Sequence, residues 1–563
     1  MAKEISKHPE YKPDMTGVDF SKFKVMLVYA NSPMDNLFSV GLSSIAGTLR
    51  ELNIDYKIFD TTWYPNDGRL GENKAHLMEI GSKNHHELLM ERAQVAEFDF
   101  KEVGIEYIET NVFDDFRKEV EEYKPNVIFL STVEPTHQFG SRLLEKVRDL
   151  GIPHIVGGCF AIFTPEIALK DPNVDYVCTG EGEYTTQEFC KALATGANTK
   201  NIPGIWAKNG DELIKNKKAP LVNMDHLPML DFSRYDPKRI FRPMSGRLYR
   251  MVPIEFSRGC PYKCTFCSAP VFEEQFKEVG TWSRAKPIDQ IEKEMKYYIK
   301  EFNVEYFYFV SETFLAMPKQ RFYDFCEMYK KIKLPFWFNT RPETITDEKV
   351  KMLEEINCHR MSIGIESGNY EYARKMLLRN AKTQVIIDAV NRVADSNIQI
   401  SVNNVIGMPD ETREMMFDTI ELNRQVRAHS HSVCIFQPYH GTSLHNYCVR
   451  KGYFGKDEFA EDSTYASPLQ QPHITHSEIQ GLSKTFVLYV KFPKNMWDFI
   501  KIAEEDTERG RKMHKELLYL YKRDYAPQSE SDVGGGTRII VDLTKVYPGN
   551  VMDRLNQIKD MRV

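Results

Sequence analysis

Two blocks of alternating β-runs and amphipathic helical segments organise this sequence. In the first, KVMLVYA (24–30), DYKIFD (55–60), NVIFLS (126–131), HIVGG (154–158) and VDYVCTGEGE (174–183) read as strands. VGLSSIAGTLREL (40–52), NVFDDFRKEVEEY (111–123), FGSRLLEKVRDLG (139–151, with Gly151 as C-cap) and TTQEFCKALATG (185–196) read as helices. Strand–helix alternation predicts a parallel, doubly wound α/β sheet of the flavodoxin-like kind. Such a sheet binds ligands at the carboxyl ends of its strands.

The second block has six β-runs: VPIEFS (252–257), EYFYFV (305–310), PFWFN (335–339), HRMSIGIE (359–366), IQISVNNVIG (398–407) and HSVCIFQP (431–438). Helical segments separate them. In KTQVIIDAVNRVAD (382–395) the residues Val385, Ile386, Ala389, Val390 and Val393 share one face. Six such units predict a partial parallel (β/α)6 barrel. The expected organisation is a polar arm (1–22), a first α/β domain (23–200), a Pro- and Gly-punctuated connection (201–250), the barrel (251–454) and a mostly helical, polar C-terminal region (455–563) with a glycine run at 534–536. A charged insertion at 62–110 interrupts the first domain and reads as partly helical, a lid or an interface element. Its His76, His85 and His86 match no defined metal-site spacing.

A chain of 563 residues has room for about three or four domains, and 42% apolar residues are enough to build their cores. The net charge of −6 is small for this length and argues against a general nucleic-acid binder. No stretch of eighteen apolar residues occurs, so no membrane-spanning helix is expected. The polar start, MAKEISKHPEYKPD, lacks a leader's apolar core, and the expected location is the cytoplasm. Ten cysteines then point to metal or catalysis rather than disulfides. Seven are scattered in apolar segments and are expected to be buried thiols: Cys159, Cys178, Cys190, Cys326, Cys358, Cys434 and Cys448.

The other three cluster in SRGCPYKCTFCSAP, directly after the first barrel strand, with the spacing C-x3-C-x2-C. Three thiolates on one tight loop suit three irons of a [4Fe–4S] cluster. The fourth iron then has no cysteine and is open to a small molecule. Zinc would need a fourth ligand nearby, and the next downstream cysteine is Cys326.

This loop, with Phe266 just before its last cysteine, resembles the signature of the radical S-adenosylmethionine (SAM) superfamily. The resemblance implies that Cys260, Cys264 and Cys267 hold the cluster. It also implies that SAM binds the open iron and is cleaved reductively to a 5′-deoxyadenosyl radical. Further segments resemble the family's strand-end motifs in order: SET with Glu312, RPE with Arg341, GIESG with Glu366 and Ser367, VIGMPDE with Gly407, and FQPYHGTSL with Gln437. By that resemblance these residues and Phe266 contact SAM. An electron donor such as a flavodoxin or ferredoxin is implied as partner.

The first domain looks like the cobalamin-binding domain that precedes the barrel in many radical SAM enzymes. VGLSSIAGTLRE, VIFLSTVEPT, HIVGGCFAIFTPE and VDYVCTGEGE carry that likeness. Ser131, Thr132, Gly157, Gly158, Gly180 and Glu181 are the expected cobalamin contacts, the glycines permitting close backbone approach. One departure stands out. Where the classical domain has D-x-H-x-x-G, this chain has Asp35, Asn36, Leu37, Phe38, Ser39 and Val40. The cobalt-ligating histidine is missing, and His137 is a weak substitute from another loop.

The expected function is methylation of an unactivated carbon or phosphorus using the cluster, SAM and cobalamin. The alternative with the same cofactors is cyclisation, rearrangement or carbon–carbon coupling. A methylthiotransferase would need a second three-cysteine cluster, which Cys159, Cys178 and Cys190 do not supply. An electron carrier would have four protein ligands on its cluster. Aromatic runs such as YFYFV read first as core, and the substrate is left as a small or lipid-like molecule.

Overall fold

The computed structural model describes residues 11–65, 84–526 and 545–561. His76 and the glycine run at 534–536 lie outside the described residues. Two seven-stranded sheets carry the chain.

The first sheet contains β1 (Lys24–Tyr29), β2 (Asp55–Asp60), β3 (Val127–Ser131), β4 (His154–Gly157), β5 (Tyr176–Cys178), β6 (Ile205–Asn209) and β7 (Glu212–Lys215). Their order is β2-β1-β3-β4-β5-β6-β7. The first five are parallel, in the 2-1-3-4-5 order of a flavodoxin-like sheet. β2 and β3 flank β1 on opposite sides, so a crevice opens between the carboxyl ends of β1 and β3. β6 and β7 add antiparallel to this sheet. The stretch expected as mere connection after residue 200 therefore begins as its edge. IPGIW hid a strand because its flanking Pro and Gly read as turn.

A helix expected from Phe139 starts at Glu134. Pro135 falls in its first turn, where proline has no helical hydrogen bond to lose. The end comes as a short 3-10 turn onto Gly151 at φ +67°.

The second sheet contains β8 (Phe241–Met244), β9 (Arg247–Glu255), β12 (Tyr306–Val310), β13 (Phe336–Thr340), β14 (Cys358–Glu366), β15 (Gln399–Ile406) and β16 (Ser430–Ile435). The short strands β10 (Ser257–Arg258) and β11 (Arg284–Ala285) form a separate pair. The order is β16-β15-β14-β13-β12-β9-β8. The six strands β9, β12, β13, β14, β15 and β16 are parallel, and β8 returns antiparallel on β9. β16 and β8 do not pair, so the barrel is partial.

The burial pattern says which face is filled. Residues such as Phe307, Phe309, Phe336, Phe338, Ile363 and Val402 are fully buried against the helical layer. The residues alternating with them, including Trp337, Asn339, Glu366, Asn403, Ser432 and Cys434, are only half-buried. The interior is thus lined but not packed. On the helix Thr383–Ala394, Ile386, Ala389, Val390 and Val393 are buried as expected, whereas Val385 is 43% exposed at the edge of that face.

The described part of the insertion crosses the barrel's open side. Gln94 Nε2 donates to the Val433 carbonyl and its Oε1 accepts from the Val433 N–H, so one side chain pairs the edge strand β16. Arg92 donates to Ser483 Oγ and the Thr464 carbonyl. Nearby, the β8–β9 turn at Gly246 abuts the Glu97 carbonyl. The helices His476–Lys491, Trp497–Ala503, Glu508–Asp524 and Gly549–Lys559 continue the core outside β15 and β16. No described helix is long and apolar enough to cross a membrane.

Candidate active site

The cysteine loop leaves the carboxyl end of β9 through Gly259. Its φ is +105°, and a Cβ there would stand 2.6 Å from Ser283 Cα, so only glycine fits. Gly259 N–H donates to Glu312 Oε1 at 2.9 Å. Cys260 Sγ lies 3.4 Å from Thr313 Oγ1. Cys264 is buried; Arg341 Nη1 lies 3.1 Å from its sulfur and Arg379 Nη1 lies 3.9 Å away. The Cys267 N–H donates to the Cys264 carbonyl, and its sulfur accepts from the Ala269 N–H at 3.5 Å.

Among the described residues no three His, Cys, Asp or Glu side chains converge on a single-ion site. Burial pushes the Cys267 thiol up to about 11. The guanidinium donors on Cys264 favour an anionic centre.

The other expected SAM contacts sort into three groups. Glu312, Glu366 and Ser367 stand at strand ends beside the loop. Surrounding protein pushes the Glu312 carboxyl above its ordinary value, although its edge is open to the barrel mouth. Glu366 sits at a bulge between β14 and β15 with φ +68°, strained for a non-glycine residue. Burial raises its carboxyl, with Arg379 at 3.8 Å opposing. Ser367 is 2% exposed and its Oγ has no hydrogen-bond partner among the described residues. A buried hydroxyl left unpaired at this point fits a ligand's acceptor.

Gly407 and Phe266 are packed: Gly407, at φ +75°, lies against Ile479, and Phe266 is half-buried against the cluster of Tyr372, Leu377 and Met408. Gln437 and Arg341 are already committed. Gln437 donates to the Ala466 carbonyl and accepts from the Glu461 N–H. Arg341 is held by Glu343 and Tyr262 while it reaches Cys264. Sequence reasoning missed Arg379, which joins Cys264, Glu366 and the Gly364 carbonyl. It lies outside any strand-end motif. Glu411 was also missed as a site neighbour: it is fully buried, accepts from the Met408 N–H, and burial pushes it up to about 8.

At the carboxyl end of the first sheet, the half-buried Ser131 closes β3, and the Thr132 N–H donates to the Gly157 carbonyl. Gly157 has room: a Cβ would meet only Cys178, at 3.9 Å. Val133 beside it is 50% exposed. An apolar, unobstructed crevice floor of this kind fits a large flat ligand such as a corrin. Gly158 has another reason to be glycine, since at φ +102° a Cβ would lie 2.1 Å from the Thr132 carbonyl oxygen.

Gly180 packs against Phe276. Glu181 is spent on Arg258, Arg284 and the Val222 N–H rather than left facing the crevice. His137 is buried against Phe160, with Thr132 and Asp171 nearby; burial lowers it to about 4. Two of the scattered cysteines also depart from expectation: Cys159 is exposed at the crevice and Cys434 is half-buried inside the barrel. Both stand where the walls face open space rather than core.

This arrangement agrees with known families. The radical SAM superfamily matches residues 254–422 and the B12 binding domain matches residues 89–190. The chain is 25% identical over 393 residues to an uncharacterised methyltransferase of Pyrococcus horikoshii, covering 68% of this chain and 82% of that one. It is 22% identical over 462 residues to cytidylyl-2-hydroxyethylphosphonate methyltransferase of Streptomyces wedmorensis, covering 74% and 79%. OxsB, a cobalamin-dependent SAM radical enzyme solved with aqua-cobalamin and SAM bound, superimposes with a TM-score of 0.60 at 15% identity, covering 96% of this chain and 79% of that one. The chain thus carries a B12 binding domain followed by a radical SAM domain, the domain order of the cobalamin-dependent radical SAM enzymes it resembles. Its cofactors are a [4Fe–4S] cluster, SAM and cobalamin.

Proposed function

We propose that this enzyme transfers a methyl group from SAM to an unactivated carbon or a phosphorus atom of a small or lipid-like substrate held inside the partial barrel. The observation that carries this reading is the pairing of the two domains in one chain with two relatives that are both methyltransferases. Bound together, the cofactors supply the one-electron and methyl-transfer chemistry.

The chain's own residues do the rest. Cys260, Cys264 and Cys267 hold three irons and leave one open. Glu312, Glu366 and Ser367 orient the SAM amine, carboxylate and ribose. Arg341 and Arg379 compensate the negative charge gathered at Cys264. The half-lined barrel, crossed along its open side by residues 84–103, would keep water from the reacting atoms. Ser131, Thr132, Gly157 and Gly158 form the cobalamin side of the chamber. The electron donor is of the flavodoxin or ferredoxin class.

The test is anaerobic reconstitution with cobalamin, SAM and a reductant, reading both SAM products. Methyl transfer predicts cobalamin-dependent S-adenosylhomocysteine together with 5′-deoxyadenosine. 5′-Deoxyadenosine without S-adenosylhomocysteine would reject it and favour cyclisation, rearrangement or coupling. About four irons per chain, rather than twice that, separates it from the methylthiotransferases.

A further inference from the structure

The barrel interior holds a cation that the cofactor assignments leave unused. Arg242 lies on β8 opposite Tyr249 of β9. Its guanidinium stands over the rings of Trp337, at 5.2 Å, and Tyr308, at 6.0 Å. Its Nη1 is out of solvent and has no hydrogen-bond partner among the described residues. Two other buried arginines have both of their Nη atoms engaged. Arg239 donates to the carbonyls of Asp35 and Leu37 and pairs with Asp60 at 3.0 Å. Arg360 donates to Ser245, Ser401, Ser430 and Gln399. Ring faces attract the charge of Arg242 but accept none of the N–H groups along its edge. A buried donor left unmade is costly, so it marks an acceptor still to come.

A second group in the same chamber is also unpaired. His86 comes from the segment that crosses the barrel's open side, and its buried Nδ1 has no partner among the described residues. Phe98 and Phe100 wall its ring at 5.1 and 5.5 Å. Burial, then His85 and Arg242, hold the imidazole down to about 3, so it stays neutral and can donate from one nitrogen. Asp35 is within electrostatic reach of both groups, yet no ion pair joins it to Arg242 among the described residues. The phenol of Tyr308 feels Arg242 and Glu312 together. Tyr308 lies on β12, whose carboxyl end leads to Glu312, so the guanidinium over its ring stands on the strand that also reaches the cluster loop.

We propose that Arg242, with His86 of the segment crossing the barrel's open side, binds an oxyanion of the substrate: a phosphate, phosphonate or carboxylate. A planar guanidinium backed by stacked rings offers such a group two parallel donors and fixes its orientation. This rests on the barrel interior being the substrate chamber, as assigned above, and holds whichever reaction follows.

The experiment uses the holoenzyme with cluster, SAM and cobalamin in place, and titrates inorganic phosphate and methylphosphonate by calorimetry without turnover. One anion per chain is expected. Arg242→Gln should weaken binding roughly tenfold to a hundredfold, and Arg242→Lys should recover part of it, with iron and cobalamin contents unchanged in both. Three outcomes overturn the proposal: no anion binding to the wild type, equal affinity in Arg242→Gln, or loss of cobalamin from Arg242→Gln with anion binding retained. The last would assign the guanidinium to cobalamin. Because the readout is binding, a failed methyl-transfer assay does not touch it, and its own failure leaves methyl transfer standing.

Discussion

Arg258 is the residue whose removal should be felt most widely. It lies two positions before Cys260 and ties three carboxylates from two units. Its Nη1 meets Glu181 at 2.7 Å, Nη2 meets Glu183 at 2.6 Å, and Nε meets Glu255 at 2.8 Å. These side chains are only 5–12% exposed. The expected perturbation is Arg258→Met, which keeps the length and removes the charge. Burial alone would raise Glu183, but Arg258 overcomes it and lowers the carboxyl from 4.5 to about 2. That shift corresponds to about 3 kcal/mol, and stranding a buried charge costs about 3–5 kcal/mol. The depressed Glu183 contributes stability present above its unfolded value and lost as pH falls through about 2. Without Arg258 the sign reverses: burial raises Glu183, and the variant regains stability as it protonates at lower pH. Urea unfolding at about pH 7.5 should therefore show a loss of about 3–5 kcal/mol that shrinks at about pH 5. Adding Glu183→Gln to Arg258→Met should recover part of it. A loss below about 1 kcal/mol with no pH dependence would refute the reasoning.

Two further outcomes are expected. Replacing Cys260, Cys264 or Cys267 by alanine should take iron from about four per chain to near none, whereas Cys326→Ala, a fully buried core thiol, should keep its iron; retained iron in the first three would dismiss the cluster assignment. Glu411, raised by burial from 4.5 to about 8, contributes stability that is complete below its unfolded value and lost as pH rises through about 8. Glu411→Gln should flatten the stability profile between about pH 5 and pH 9, and parallel profiles for the two proteins would count against it.

What could be read from the sequence was local. The cysteine loop and the strands were legible because thiol spacing and apolar runs are short-range patterns. What escaped depends on partners far along the chain. Glu181 reads as a strand-end ligand until Arg258 and Arg284, about a hundred residues away, claim it. Arg379 has no motif around it and gains meaning only where the chain brings it to Cys264. β6 was hidden by its flanking turn residues and became a strand because β5 offered a free edge. Arg242 is informative through what it lacks, and no sequence pattern records an absent acceptor.

The missing histidine beneath cobalt takes on a different sense in this setting. The loop after β1 is used here as a wedge between units. Arg239 holds its Asp35 and Leu37 carbonyls, Asn36 Nδ2 donates to the Phe241 carbonyl, and Leu37 packs with Met244, Met251 and Tyr308 of the barrel. The other loops of the first sheet make similar contacts. Glu134, after β3, accepts from the N–H groups of His440 and Ala460, and Glu181 and Glu183, after β5, hold Arg258. The carboxyl ends of the two sheets therefore meet face to face, joined by paired charges and a wedge of core residues. A loop committed to that contact is not free to swing a ligand beneath a cofactor. What this version of the β1 loop does is fix the two units against each other.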